Sequence, residues 1–266
     1  MVNAVKKQME WLPADFLPKK GKGILFLDEM NSAPQSVQAA AYQLILNRKI
    51  GDYELPVGWA VIAAGNRASD RSVVHAQPAA LANRFVHLDF DVSVDDWNVW
   101  AMNNSIHDDL RAFIQFRPNL LHNFDAASNP RAFPSPRSWS FVNDVYKDGH
   151  SADTEFELVK GAVGEGASAE FSGFTRLIKD LPRVDAVLVD PEGTKLPQQP
   201  AGMYAMATAL DSKATPGNLE RIMKYMSRMS VEFQVVFMRS AIRRDTKLTD
   251  TKAYMDWGVK HQAVLL

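Results

Sequence analysis

The sequence predicts an α/β protein in which a short parallel sheet is followed by helices. Two apolar runs, 23–28 and 59–64, lack the alternation of a half-exposed strand, which is typical of strands buried on both faces of a parallel sheet. A helical pattern over 33–47 separates them, as a parallel crossover requires. Only helical patterns are convincing after Asp91. The expected regions are an α/β core at 1–91, a helical lid at 92–150 and a helical C-terminal region at 151–266.

Shorter elements complete the predicted core. The polar stretch around Gly51-Asp52 indicates a small hairpin, and alternating Val86, Leu88 and Phe90 predict a third strand over 84–90. Ser32-Ala33-Pro34-Gln35 resembles a capping box, with proline in the first helical turn. Further helices are expected at 78–83, from 93 to about 103, at 108–116, 135–149, 153–162 and 167–180, with three or four more after a proline-rich linker at 190–200.

Composition excludes several classes of protein. The 266 residues carry a net charge of −1, so bulk charge favours neither nucleic acid nor a membrane surface as a partner. There is no cysteine, which excludes disulfides and thiolate metal sites and fits the cytoplasm. The six histidines lack ligand spacing, and no apolar run approaches the length of a membrane span. The first ten residues do not form the pattern of a signal peptide.

Polar side chains follow both long strands. Asp28 and Glu29 come directly after the first, and Asn66 follows the second. The carboxyl ends of parallel strands are where open α/β sheets place ligands, so we expect these groups to lie close together. Asp28 would hold Mg²⁺, Glu29 would polarise an attacking water, and Asn66 would position that water or a γ-phosphate. Alternatively, the acidic pair only helps to start the next helix, and the amide supports a turn after Gly65.

Two arginines extend this hypothesis. Arg84 precedes the third predicted strand and could stabilise charge on a transferring phosphoryl group, commonly from a neighbouring subunit. Arg137 lies in the first turn of a helix, where a cation is useful if both it and the helix end face a polyanion. The alternative for each is a solvated surface arginine.

Taken in order, these segments resemble the MoxR-like branch of the AAA+ ATPases over residues 20–150. The matching segments are Ile24-Leu25-Phe26-Leu27-Asp28-Glu29-Met30-Asn31 for Walker B, Ala63-Ala64-Gly65-Asn66 for sensor 1, Asn83-Arg84-Phe85 for the arginine finger and Ser135-Pro136-Arg137 for sensor 2. The resemblance implies a three-layer P-loop NTPase core that uses ATP and Mg²⁺. It also implies a homo-oligomeric ring, of six subunits, that remodels protein substrates beside a partner with a von Willebrand factor A domain.

One motif of that family is missing. A P-loop needs GxxxxGK followed by Ser or Thr, and Gly21-Lys22 is followed by Gly23. The segment that carries it would be encoded upstream, supplied by another chain, or lost, and this chain alone is expected to be inactive. A competing hypothesis is therefore a non-catalytic interaction module. A third, nucleic-acid remodelling, depends only on a basic stripe formed by Arg239, Arg243, Arg244 and Lys247.

Overall fold

The computed structural model describes residues 2–3, 8–9, 14–67, 79–125, 127 and 131–262. The chain divides into two compact units, residues 1–90 and 91–266, and each is described here by itself. The first is mixed α/β with a small parallel sheet, and the second is helical, as the sequence predicts. No helix in the described part of the chain has the length and hydropathy needed to cross a membrane.

The α/β unit is built on two parallel strands. β3 (Lys22–Leu27) pairs with β6 (Gly58–Ala63) in a register that sets Lys22 opposite Gly58 and Leu27 opposite Ala63. The other elements are β1 (Val2–Asn3), β2 (Gln8–Met9), α1 (Gln35–Asn47), β4 (Lys49–Ile50), β5 (Tyr53–Glu54) and α2 (Ala79–Ala82). β1 pairs with β2, and β4 with β5, in antiparallel ladders. The two long predicted strands, the crossover helix and the hairpin are therefore present to within two residues.

Burial of β3 differs from the prediction. Leu25 is buried in a small core with Leu17, Leu44, Tyr53 and Leu55. Its neighbours Ile24 and Phe26, on the opposite face, remain 59% and 55% exposed. The predicted burial on both faces is thus wrong, because the described residues supply a layer to only one side of the sheet.

The third predicted strand is also absent from the structure. Val86, Leu88 and Phe90 are almost fully exposed, and residues 86–90 pair with no strand among the described residues. The alternation of these residues favours a strand, but a strand also needs a hydrogen-bonded neighbour.

Both ends of α1 depend on residues outside the helix. Pro34 is the N-cap and no side chain caps the first turn, so the predicted capping box is wrong. The helix ends at Arg48, whose backbone is left-handed with φ 56°. The Arg48 guanidinium donates to the carbonyl oxygens of Pro56 at 2.8 Å and Trp59 at 2.7 Å. These bonds tie the helix end to the start of β6.

The helical unit contains ten α-helices among its described residues. They are α3 (Val94–Asn103), α4 (Asp108–Phe116), α5 (Pro136–Asp148), α6 (Ala152–Val163), α7 (Glu165–Ile178), α8 (Val184–Val189), α9 (Pro200–Lys213), α10 (Leu219–Met226), α11 (Val231–Arg244) and α12 (Lys252–Lys260). α4 has the predicted bounds. α5 has the predicted Ser135 cap and ends at Gly149, whose positive φ of 71° favours glycine.

Two hydrophobic cores hold the helical unit together. The first centres on Phe113, whose ring lies 5.3–5.5 Å from the rings of Trp139, Phe171 and Phe174. It joins helices on both sides of residue 150, so the predicted lid shares its packing with α6, α7 and α9. The second core is formed by residues of the helices from α8 to α12 and is rich in methionine. Burial there raises the pKa of Tyr225 to about 12.

Candidate functional site

The candidate site lies where β3 and β6 end. The parallel ladder continues past both strands, because the Ala64 N–H donates to Leu27 and the Met30 N–H donates to Ala64. This pairing holds the two strand ends side by side. It brings Glu29 and Asn66, which are 37 residues apart, into direct contact: the Asn66 Nδ2 donates to the Glu29 Oε2 at 2.8 Å.

Glu29 is the centre of this cluster. Its Oε2 also accepts from the Ser32 Oγ at 2.9 Å. Ser32 therefore positions the carboxylate and does not cap α1, which explains the missing capping box. Two donors to one oxygen fix the orientation of the carboxylate. The arrangement suits a general base that must be charged and aimed before reaction.

The backbone at Glu29 is strained. Its φ of 52° lies in the left-handed region, which costs a residue with a Cβ about 1–3 kcal/mol. Asp28 supports this turn, because its Oδ1 accepts the Glu29 N–H at 3.0 Å. Strain of this kind clusters at functional sites, where it aims a side chain that a regular strand would direct elsewhere.

Asn31 is a site residue whose role the sequence analysis missed. Its Oδ1 accepts the Asn66 N–H at 3.2 Å, and its Nδ2 donates to the Asn66 carbonyl at 2.6 Å. The Asn31 side chain thus pairs with the backbone of Asn66 as a neighbouring strand would. A Cβ at Gly65 would lie 2.3 Å from the Asn31 Oδ1, so this close approach requires glycine. In the sequence, the glycine before Asn66 was the available signal that another group approaches the backbone closely at this point.

Gln38 supports the same loop from α1. It is buried, and its Nε2 donates to the Ala33 carbonyl at 2.9 Å and to the Asn31 carbonyl at 3.4 Å. The loop between β3 and α1 is therefore held from both sides, by β6 and by α1.

The fit of this site to Mg²⁺ depends on Asp28. Both Asp28 and Glu29 are exposed, and no group of three potential metal ligands occurs among the described histidines and carboxylates. In nucleotide sites Mg²⁺ uses one or two carboxylates together with phosphate and water oxygens. One accessible carboxylate therefore fits a metal that arrives with a nucleotide, and it does not fit a metal bound by protein alone.

The two predicted arginines are placed differently. Arg84 follows α2 and is exposed, and its guanidinium forms no hydrogen bond or ion pair with the described residues. Arg137 is exposed in the first turn of α5, in the helical unit. The structure thus joins Asp28, Glu29 and Asn66 into one hydrogen-bonded cluster. Among the described residues, neither Arg84 nor Arg137 forms a hydrogen bond with this cluster.

The basic stripe is largely engaged within the helical unit. Arg239 and Arg243 both pair with the Asp95 carboxylate. Arg244 donates to the Asp211 carbonyl at 3.0 Å and to the Ala214 carbonyl. Three of the four cations of the stripe are thus paired with groups of their own unit, and a nucleic-acid partner for the stripe stays a hypothesis.

No family model, curated protein or solved structure matches this chain, so the candidate site is supported by its own geometry and sequence pattern.

Proposed function

We propose that this chain is the second part of a MoxR-like AAA+ ATPase. The observation that carries the proposal is the hydrogen bond between Asn66 and Glu29 at the carboxyl end of a parallel strand pair. A catalytic carboxylate and a polar residue from the adjacent strand are the two groups that a Walker B and sensor 1 pair must bring together. The strained Glu29 backbone supports the same assignment.

Each residue of the cluster has a chemical role in this proposal. Glu29, held in place by Ser32 and Asn66, accepts the proton of the attacking water. Asn66 couples that carboxylate to β6 and positions the water or the γ-phosphate. The Asp28 carboxylate would hold Mg²⁺, which would supply positive charge beside the transferring phosphoryl group. Asn31 keeps the two strand ends in register.

The P-loop is proposed to come from a segment outside this sequence. Support comes from the exposed apolar face of β3, from the free edges of the β3–β6 pair among the described residues, and from the exposed apolar side chains along 86–90. A strand beside β6 and a helix over the exposed face would bury all of these groups. Unburied, they are an aggregation hazard.

The complete protein is proposed to form a ring of six subunits in the cytoplasm. Arg84, exposed and without a partner among the described residues, then acts in trans on a neighbour's nucleotide, and Arg137 senses the γ-phosphate. Hydrolysis would drive remodelling of a protein substrate beside a von Willebrand factor A domain partner. These parts of the proposal follow from the family resemblance.

The test measures ATP hydrolysis by the native assembly, purified through a tag on this chain so that the P-loop polypeptide stays attached. Glu29→Gln should leave nucleotide binding intact and lower kcat by roughly 10²–10⁴-fold, as expected for loss of a general base. Glu192→Gln, an exposed glutamate in the helical unit, is the matched control. Unchanged turnover in Glu29→Gln would exclude the proposed role of Glu29.

A non-catalytic interaction module is the second candidate, because the full sequence contains no P-loop pattern. This candidate expects a native assembly without ATPase activity. It also expects assembly to be unaffected by Asp28→Ala and Glu29→Gln. Calorimetry with Mg-ATP and the same two variants separates the candidates.

A further inference from the structure

We propose that a cavity in the helical unit binds a small molecule that carries a carboxylate. The cavity measures about 150 Å³ and lies between α3, α4, α9 and α11. A single water needs only about 10–15 Å³, so the space accepts a small organic acid. Its polar lining includes Asp95, Asn98, Gln115, Tyr204, Arg239 and Arg243.

The charge of the lining favours an anion. Two guanidiniums, from Arg239 and Arg243, face one carboxylate, from Asp95. Both guanidiniums contact the same oxygen of Asp95, with the Arg243 Nη2 at 3.6 Å. Arginine binds carboxylates through several parallel N–H donors. The Arg243 Nη1 also donates to the Asp95 backbone carbonyl at 3.4 Å, and most other donors of the two guanidiniums have no partner among the described residues. Asp95 thus occupies a position that a ligand carboxylate could share or take over.

A second, neutral group points to a ligand with another acceptor. The Nε2 of Gln115, a residue of the cavity lining, is buried and has no hydrogen-bond partner among the described residues. An unpaired buried donor is unfavourable, and an acceptor oxygen on a ligand would satisfy it. A dicarboxylate, or a hydroxy or keto acid, carries both required groups.

The floor of the cavity is rigid before any ligand arrives. Ser240 accepts from the Asn98 Nδ2 at 3.2 Å and donates to the Asp211 Oδ2 at 2.6 Å. Asn98 in turn accepts from the buried Arg111 at 3.0 Å. Val94 and Val236 add apolar wall. A preorganised site of this kind loses little entropy on binding.

This site goes beyond the proposed ATPase function and does not depend on it. All of its residues belong to the helical unit, and none of them belongs to the matched motifs. Binding here can therefore be tested on the purified 266-residue chain without nucleotide.

The experiment titrates acetate, succinate and glutamate into the chain, followed by calorimetry and thermal unfolding. Neutral succinamide and inorganic phosphate are the matched probes for charge and for anion type. We expect at least one carboxylate to bind saturably and raise Tm, succinamide to have no effect, and phosphate to bind at least tenfold more weakly.

Variants locate the binding. Arg243→Gln should weaken carboxylate binding at least tenfold, whereas Arg183→Gln, an exposed arginine outside the cavity, should not. Gln115→Leu removes the side-chain amide with its unpaired donor and keeps a side chain of similar size, so it should leave the fold intact while weakening binding. The proposal is overturned if no carboxylate binds saturably or if phosphate binds as tightly as the carboxylates. It is also overturned if the folded Arg243→Gln and Gln115→Leu variants bind carboxylates with the affinity of the unchanged chain.

Discussion

The two units of this protein bury their apolar residues very differently. Among its described residues, the helical unit packs 34 buried residues into two cores, whereas the buried core of the α/β unit contains Leu17, Leu25, Leu44, Tyr53 and Leu55. The α/β unit also exposes large apolar side chains on β3, on β6 and along 86–90. Helices can cover one another with local neighbours, but a sheet needs further layers and strands from distant parts of a chain.

Charged residues show the same contrast. Asp211 is fully buried in the helical unit, where its Oδ2 accepts from Arg111 at 2.7 Å and from Ser240. Asp28 and Glu29 in the α/β unit are exposed. Asp28 accepts the Glu29 N–H, and Glu29 accepts from the Asn66 amide. A buried carboxylate with partners holds helices together, while an exposed and oriented one is available for a ligand.

The largest expected effect breaks the buried network. Asp211→Ala leaves the buried Arg111 without its main partner, and removing one member of such a pair costs about 3–5 kcal/mol. Urea unfolding followed by tryptophan fluorescence measures the loss. Asp185→Ala, an exposed aspartate in α8, is the control, with an expected change within about 0.5 kcal/mol. Equal losses in the two variants would contradict the structural role of Asp211.

A second prediction sharpens the contrast between the faces of β3. Leu25→Ala should lower the free energy of unfolding of the α/β unit by about 2–5 kcal/mol, because Leu25 is buried. Phe26→Ser should change it by less than about 0.5 kcal/mol, because Phe26 is more than half exposed. The Phe26 variant should also aggregate less, as light scattering would show. A large loss in Phe26→Ser would mean that this face is covered.

The smallest expected effect compares one glycine from each unit. Gly65→Ala places a Cβ against Asn31 and should cost about 1–3 kcal/mol by disrupting the Asn31–Asn66 pair. Gly161→Ala, at an exposed position in the last turn of α6, meets no atom within 4 Å and should stabilise by about 0.5–1 kcal/mol. Thermal unfolding of both variants measures the signs, and equal signs would contradict the close approach at Gly65.

Local sequence patterns predicted most elements because their causes are local. The bounds of α4 and the Ser135 cap of α5 follow from periodicity and capping chemistry within a few residues. The placement of Glu29 beside Asn66 was predictable because parallel strands end at the same edge. The roles of Ser32, Asn31 and Gln38 were not, since each depends on a contact with a neighbouring element or a strained turn.

The sequence by itself determined which segments favour strand or helix, and which polar residues end the two parallel strands. Only the tertiary structure decided that one face of β3 stays exposed and that 86–90 pairs with no described strand. It alone showed that Arg239 and Arg243 pair with Asp95 and that Arg244 donates to the carbonyls of Asp211 and Ala214. The physical reason is that propensity and periodicity act over a few residues. Burial and charge pairing depend on which groups, far along the chain, arrive at the same place.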